Sequence, residues 1–191
     1  MLKISFKKDG FVVVRNIIDD ASEYNSYVED QMKENKGEQD FQVPNAKILY
    51  KTEKTEKLLK DVKGRVEKAT GMKLFKTYSF IRKYTKGMEL KKHTDRNACE
   101  ISVSICLGYK GTPLWKIWLT DLNGKDHGVE LKEGDAIIFR GTELTHWRDK
   151  MENDEQTQVF LHYVDRTGEH YMFRDDENRY NDPKSNCDKP Y

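Results

Sequence analysis

From Lys73 onward the chain alternates apolar and polar positions in short runs that end at turn residues. Eight candidate strands follow, at about 73–84, 88–93, 99–107, 114–120, 127–132, 135–140, 144–148 and 157–164. Lys86-Gly87, Gly111-Thr112-Pro113, Asn123-Gly124 and Glu133-Gly134-Asp135 separate several of them. Strands this short and this regularly spaced predict a barrel or sandwich. The run Glu100–Leu107 carries a further signal. Ile101, Val103, Ile105 and Leu107 form one face, while Glu100, Ser102, Ser104 and Cys106 form the other. A face of small side chains predicts either a space inside the barrel, offered hydroxyls by Ser102 and Ser104, or a surface covered by a helix or loop.

The first 72 residues read differently. Phe11–Ile17 is a β-branched run after the turn Asp9-Gly10 and predicts a strand. Asp20 is placed to cap a helix running to about Asn35, with Tyr24 and Tyr27 or Val28 as a thin apolar stripe. Glu38–Ala46, which contains Pro44, predicts a loop. Leu58, Val62, Val66 and Ala69 recur at i, i+4, i+8 and i+11, which predicts one helix over about Thr55–Thr70, stopped by Gly71. Residues 165–191 are polar and charged, a surface-hugging or partly disordered tail. The expected organisation is one domain: a strand and supporting helices in 1–72, a β core in 73–164, and the tail.

Composition narrows the function. The 191 residues hold 34 Lys+Arg against 33 Asp+Glu, a net charge of +1. That balance excludes a nucleic-acid binder relying on bulk positive charge, although a locally basic groove stays open. No apolar run approaches the roughly 18 residues of a membrane span. The first ten residues show no apolar leader segment, so the expected location is cytoplasmic. Cys99, Cys106 and Cys187 are too few and too irregular for a disulfide framework. The first two, placed in one strand, would face opposite sides.

Candidate chemistry concentrates in His93-Thr94-Asp95. In an extended chain these two side chains project to one face and can converge on a cation. His146, in a distant candidate strand, can supply a third ligand. Two imidazoles and a carboxylate leave three adjacent positions open on an octahedral metal, which suits Fe(II) that must take a chelating cosubstrate together with O2. The competing reading is a surface histidine beside a solvated aspartate. His162 reads as a hydrogen-bonded strand histidine rather than a fourth ligand. His127 reads as solvated, His170 as part of the tail, and Trp115, Trp118 and Trp147 as packing residues.

Four segments together resemble the Fe(II)/2-oxoglutarate-dependent dioxygenases, in particular their prolyl 4-hydroxylase-like branch. They are Asp9–Val14, Tyr84-Thr85-Lys86-Gly87 followed by His93-Thr94-Asp95, Leu131–Phe139, and His146. The resemblance implies a mainly β fold with supporting helices, built on a double-stranded β-helix, or jelly roll. It implies Fe(II) held by His93, Asp95 and His146, with 2-oxoglutarate as cosubstrate and O2 as oxidant. It implies oxidative hydroxylation of a C–H bond in a peptide or small molecule, peptidyl proline among them. The family usually places a cation about ten residues past the distal histidine, where this chain has Glu155-Gln156-Thr157-Gln158. Another cation must then meet the far carboxylate of 2-oxoglutarate. Arg148 is the first candidate and Arg82 the second, with Tyr84, Ser102 and Ser104 offering hydroxyls; Lys150 and Lys116 are weaker candidates. Two other readings stand beside this one: a zinc hydrolase using the same triad with Glu143 as base, and a barrel that binds without turnover. Substrate and oligomeric state are not encoded in any motif.

Overall fold

A computed structural model describes residues 4–34, 37–40 and 42–176. The chain begins with α1 (Phe6–Asp9) and β1 (Phe11–Val14), continues through α2 (Ala21–Lys33), β2 (Glu38–Gln39) and β3 (Lys47–Tyr50), and then forms α3 (Glu53–Asp61) and α4 (Lys63–Thr70). Eight strands follow: β4 (Leu74–Thr85), β5 (Leu90–His93), β6 (Ile101–Lys110), β7 (Ile117–Thr120), β8 (Asp126–Val129), β9 (Ala136–Arg140), β10 (His146–Arg148) and β11 (Glu155–Asp165). All eight strands expected after Lys73 form.

They divide into two antiparallel sheets. The larger has the order β1-β9-β6-β11-β4-β3-β2 and the smaller β5-β10-β7-β8. From β4 to β11 the chain visits the sheets in the sequence large, small, large, small, small, large, small, large. This is the double-stranded β-helix: two interleaved halves that wrap one interior. The loop entering β9 shows why a glycine is placed there. Gly134 has φ +80°, and a Cβ would stand 2.5 Å from the carbonyl oxygen of Ile18.

Alternation along the large sheet separates two environments. Ile101, Val103, Ile105, Val159 and Leu161 face outward and pack with Val28, Leu58, Leu59, Val62 and Val66 of the helices. The helices therefore cover the apolar face, and the small-residue face of β6 looks into the barrel. Part of that interior is filled by Phe11, Cys106, Ile117, Leu119, Ile137 and Phe139.

Several local expectations need correction. The helix foreseen over Thr55–Thr70 is two helices, because Val62 sits at φ −84°, ψ −10° and interrupts the ladder. Gly64 adjoins the break, and its low helix propensity works against bridging it. The first of the two starts earlier than expected, with the Thr52 side chain accepting from Thr55 N at 3.3 Å. Asp20 occupies the N-cap of α2 without a side-chain capping bond. The segment Glu38–Ala46 is not entirely loop, since Glu38–Gln39 pairs with β3. Cys99 lies in the 3-10 turn Asn97–Cys99 ahead of β6, so it does not share a strand with Cys106; both are buried thiols. His127 is not simply solvated: its Nε2 is 2.7 Å from Asp121 Oδ2 and its ring packs on Phe11. In the expected tail, Tyr171–Phe173 forms a turn and Asp176 is buried. Cys187 and residues 177–191 lie outside the described residues. Among the described residues no helix is long and apolar enough to cross a membrane.

Candidate metal centre

Strand pairing brings the two histidines together. In the small sheet His146 and His93 are direct partners across β10 and β5. Their rings stand 4.2 Å apart, centre to centre. Asp95 is not on the strand with His93, contrary to the extended geometry expected. It lies two residues beyond, where its backbone N–H donates to the carbonyl of Gly141 at 2.8 Å. Even so, its Oδ1 reaches 3.7 Å from His93 Nε2 and 3.4 Å from His146 Nε2. One ligand atom from each of the three lies within 4.8 Å of the other two.

Ring orientation is set by main-chain acceptors. His93 Nδ1 lies 2.8 Å from the carbonyl of Lys91, and His146 Nδ1 lies 2.9 Å from that of Leu144. A carbonyl only accepts, so each Nδ1 carries the hydrogen and each Nε2 presents a lone pair to the common centre. This is the orientation an imidazole needs to bind a metal, fixed by an outer partner. Burial, then the neighbouring His146, brings His93 down to about 4. Burial alone would raise Asp95, but His146 and His93 outweigh it and hold the carboxylate well below its usual range. At neutral pH the His93 nitrogen is therefore neutral and the Asp95 oxygen ionised.

Sequence reading missed what braces Asp95. Ser102 Oγ donates to Asp95 Oδ2 at 2.6 Å. Gly141 packs so closely that a Cβ there would stand 2.5 Å from Asp95 Oδ2 and 2.6 Å from Ser102 Oγ. A glycine directly after a strand and five residues before His146 was the visible signal. A second trio, Asp95, Cys99 and His162, also has ligand atoms within 4.8 Å of one another. There, however, Ser102 Oγ stands between carboxylate and imidazole, and Cys99 Sγ is 3.0 Å from the Tyr78 hydroxyl. Each of these three residues thus has a polar contact outside the trio, to Ser102 or Tyr78.

Beside the triad opens a cavity that is in part continuous with solvent. Both candidate arginines line it, but in different states. Arg82 is neutralised: its Nε pairs with the buried Asp40 carboxylate, NH1 donates to Tyr84 Oη at 3.1 Å, and NH2 donates to Gln42 Oε1 at 2.8 Å. Arg148 is 2% exposed and donates only from NH1, to the carbonyl of Trp115 at 2.9 Å. Its guanidinium lies 4.9 Å from the Trp115 ring centre, and its Nε and NH2 have no partner. Among the described residues no carboxylate pairs with it. Burial lowers its pKa, with Tyr84 and Cys106 opposing the shift.

The hydroxyl candidates separate as well. Tyr84 is fully buried and engaged with Arg82. Ser102 is spent on Asp95. Ser104 donates to Gln158 Oε1 at 3.0 Å and does not line the cavity. Glu143, the base required by the hydrolase reading, lies on the surface in a pair with Arg140 and away from the cavity lining.

No protein-family model matches the chain, and no curated protein matches it. Solved structures do. The chain is similar to a prolyl-4-hydroxylase of Pseudomonas putida, at 13% identity and TM-score 0.69, over 84% of this chain and 95% of that one. A prolyl hydroxylase of Trichoplax adhaerens, solved with a peptide fragment of the hypoxia inducible factor oxygen degradation domain, aligns at 14% identity and TM-score 0.69, over 84% and 86%. The alpha ketoglutarate-dependent epimerase SnoN of nogalamycin biosynthesis aligns at 11% identity and TM-score 0.72, over 84% and 78%. The fold is therefore the jelly roll seen in 2-oxoglutarate- and Fe(II)-dependent oxygenases, prolyl hydroxylases among them.

Proposed function

We propose that this protein is a 2-oxoglutarate- and Fe(II)-dependent dioxygenase that hydroxylates a C–H bond of a peptide or small molecule. The observation that carries the reading is the convergence of two histidine Nε2 lone pairs and one ionised carboxylate beside a cavity that also holds an unpaired, buried arginine. His93, Asp95 and His146 would hold the iron, and two imidazole nitrogens with one hard oxygen fit it. Arg148 would receive the far carboxylate of 2-oxoglutarate. A buried guanidinium with two unmatched donors is costly alone and fits a carboxylate that can take both.

When bound, the metal and cosubstrate supply the oxidation, in which 2-oxoglutarate and O2 become succinate and carbon dioxide while one oxygen atom enters the substrate. The chain's own part is positional. Lys91 and Leu144 carbonyls orient the imidazoles, Ser102 and Gly141 fix Asp95, and Trp115 holds Arg148 over its ring.

Arg148 also bears against the reading of a barrel without turnover, which rested on the missing downstream cation. The structural neighbours described as 2-oxoglutarate-dependent support the same assignment by fold. Anaerobic titration of the protein with Fe(II) and then 2-oxoglutarate tests it. A visible charge-transfer band is expected, together with O2-dependent succinate release, and both should vanish in His93→Ala and Asp95→Ala. Retention of both signals in those variants would overturn the assignment.

A further inference from the structure

Beyond the triad, one more histidine lines the same cavity. His162, on β11, is 3% exposed, lines the cavity, and has no hydrogen-bond partner at Nε2. Its neighbours set its tautomer. Ser102 Oγ lies 2.6 Å from Asp95 Oδ2, 3.0 Å from His162 Nδ1 and 3.2 Å from the carbonyl of Cys99. A hydroxyl has one hydrogen, and the ionised carboxylate at the shortest distance is the strongest acceptor for it. His162 Nδ1 therefore carries a hydrogen and donates to Ser102 Oγ, and the neutral ring keeps its lone pair on Nε2. Burial favours that neutral form, bringing the ring down to about 4.

The ring is also held in place. It stacks on Phe80 at 5.7 Å and an interplanar angle of 19°, and meets Tyr78 at 4.7 Å. Phe160 stacks on Phe80 at 4.6 Å, and Tyr50 joins Tyr78 at 5.3 Å. All four rings line the cavity. Flat aromatic walls favour a flat guest, by offset or edge-to-face contact. A buried acceptor without a donor is unfavourable, and one carried by a residue of a cavity's lining can be matched by what enters there.

We infer that His162 Nε2 is a substrate-recognition acceptor, matched by an N–H or O–H carried on a flat ring that packs against Tyr78 and Phe80 beside the metal centre. This rests on the proposed function, which makes the cavity the substrate's. It turns that reading away from peptidyl proline, whose ring is saturated and whose amide nitrogen carries no hydrogen. His162 is then a specificity-determining residue: an analogue lacking the donor leaves the buried lone pair unmatched and is rejected.

A matched pair of probes tests this, phenol against anisole, which differ by the single donor hydrogen. Protein labelled with 15N-histidine is measured by NMR, free and loaded with Zn(II) and 2-oxoglutarate. The expected result is a hydrogen on Nδ1 of His162, a bare Nε2 whose resonance moves with phenol and not with anisole, and about fivefold tighter binding of phenol. In His162→Phe the preference should disappear. A hydrogen found on Nε2, equal binding of the two probes, or binding of neither would overturn the inference, and the wild-type protein alone decides among these. Absence of the Fe(II)–2-oxoglutarate band would instead overturn the proposed function, and the tautomer and probe preference are read separately from it.

Discussion

On one side of β6 and β11 stand Ile101, Val103, Ile105, Val159 and Leu161, sealed under helices; on the other stand Ser102, Ser104, Gln158, Phe160 and His162, turned into the barrel. Both faces are buried, and they are buried at different cost. The outer face is apolar throughout and gains from leaving water. The inner face, with Arg148 of β10 across the barrel from it, carries buried polar and charged groups, some matched within the protein, as Ser104 is by Gln158, and some not, as at Arg148 and His162. A protein retains an uncompensated charge where something outside the chain completes it. The outer face thus holds the fold and the inner face is arranged for guests.

The comparison is broken most directly by exchanging the roles. Leu161→Ala, on the outer face, should cost about 3 kcal/mol of unfolding free energy and leave metal affinity of the folded protein unchanged; denaturant unfolding and metal titration read the two effects separately. Arg148→Met, on the inner face, should do the reverse. Its 2-oxoglutarate affinity should fall by roughly 100-fold, with stability unchanged or raised, since an unpaired buried charge has been removed. Calorimetric titration of 2-oxoglutarate alongside thermal unfolding checks it, and a large loss of stability would show that Arg148 belongs to the scaffold. Ser102→Ala should weaken metal binding by about tenfold through loss of the bond to Asp95.

The smallest effect is on pH. His93 and His162 both sit at about 4, below the ordinary 6.5. The unfolded chain therefore binds these protons first, so their contribution is fully present above about pH 6.5 and is lost as pH falls toward 4. Melting temperatures of the metal-free protein should decline through that window, and less so in His162→Phe. A flat profile would place both rings in water.

Much of this division is written in the sequence because alternation has period two. Ile101-Ser102-Val103-Ser104 states which residues share a face, and the strands from Lys73 onward could be read from such runs. The His-x-Asp step and a distant histidine were equally visible. Alternation does not say what lies across a gap. Asp40, 42 positions before Arg82, pairs with that arginine, and nothing local announces the pairing. Arg148 and Arg82 look alike in sequence and differ only in what surrounds them. The same holds for His162, a strand histidine by pattern, whose second nitrogen is left open by the direction of the Ser102 hydroxyl. The break at Val62 was hidden for another reason, since its apolar spacing continues unaltered through the kink.

Diffraction from crystals grown anaerobically with Mn(II) and 2-oxoglutarate, with the metal located by its anomalous scattering, addresses the inner face as a whole. One ion is expected at about 2.0–2.2 Å from Nε2 of His93, Nε2 of His146 and an oxygen of Asp95, with the far carboxylate of 2-oxoglutarate on Nε and NH2 of Arg148. An ion held instead by Asp95, Cys99 and His162, or a cosubstrate bound away from Arg148, would contradict the account.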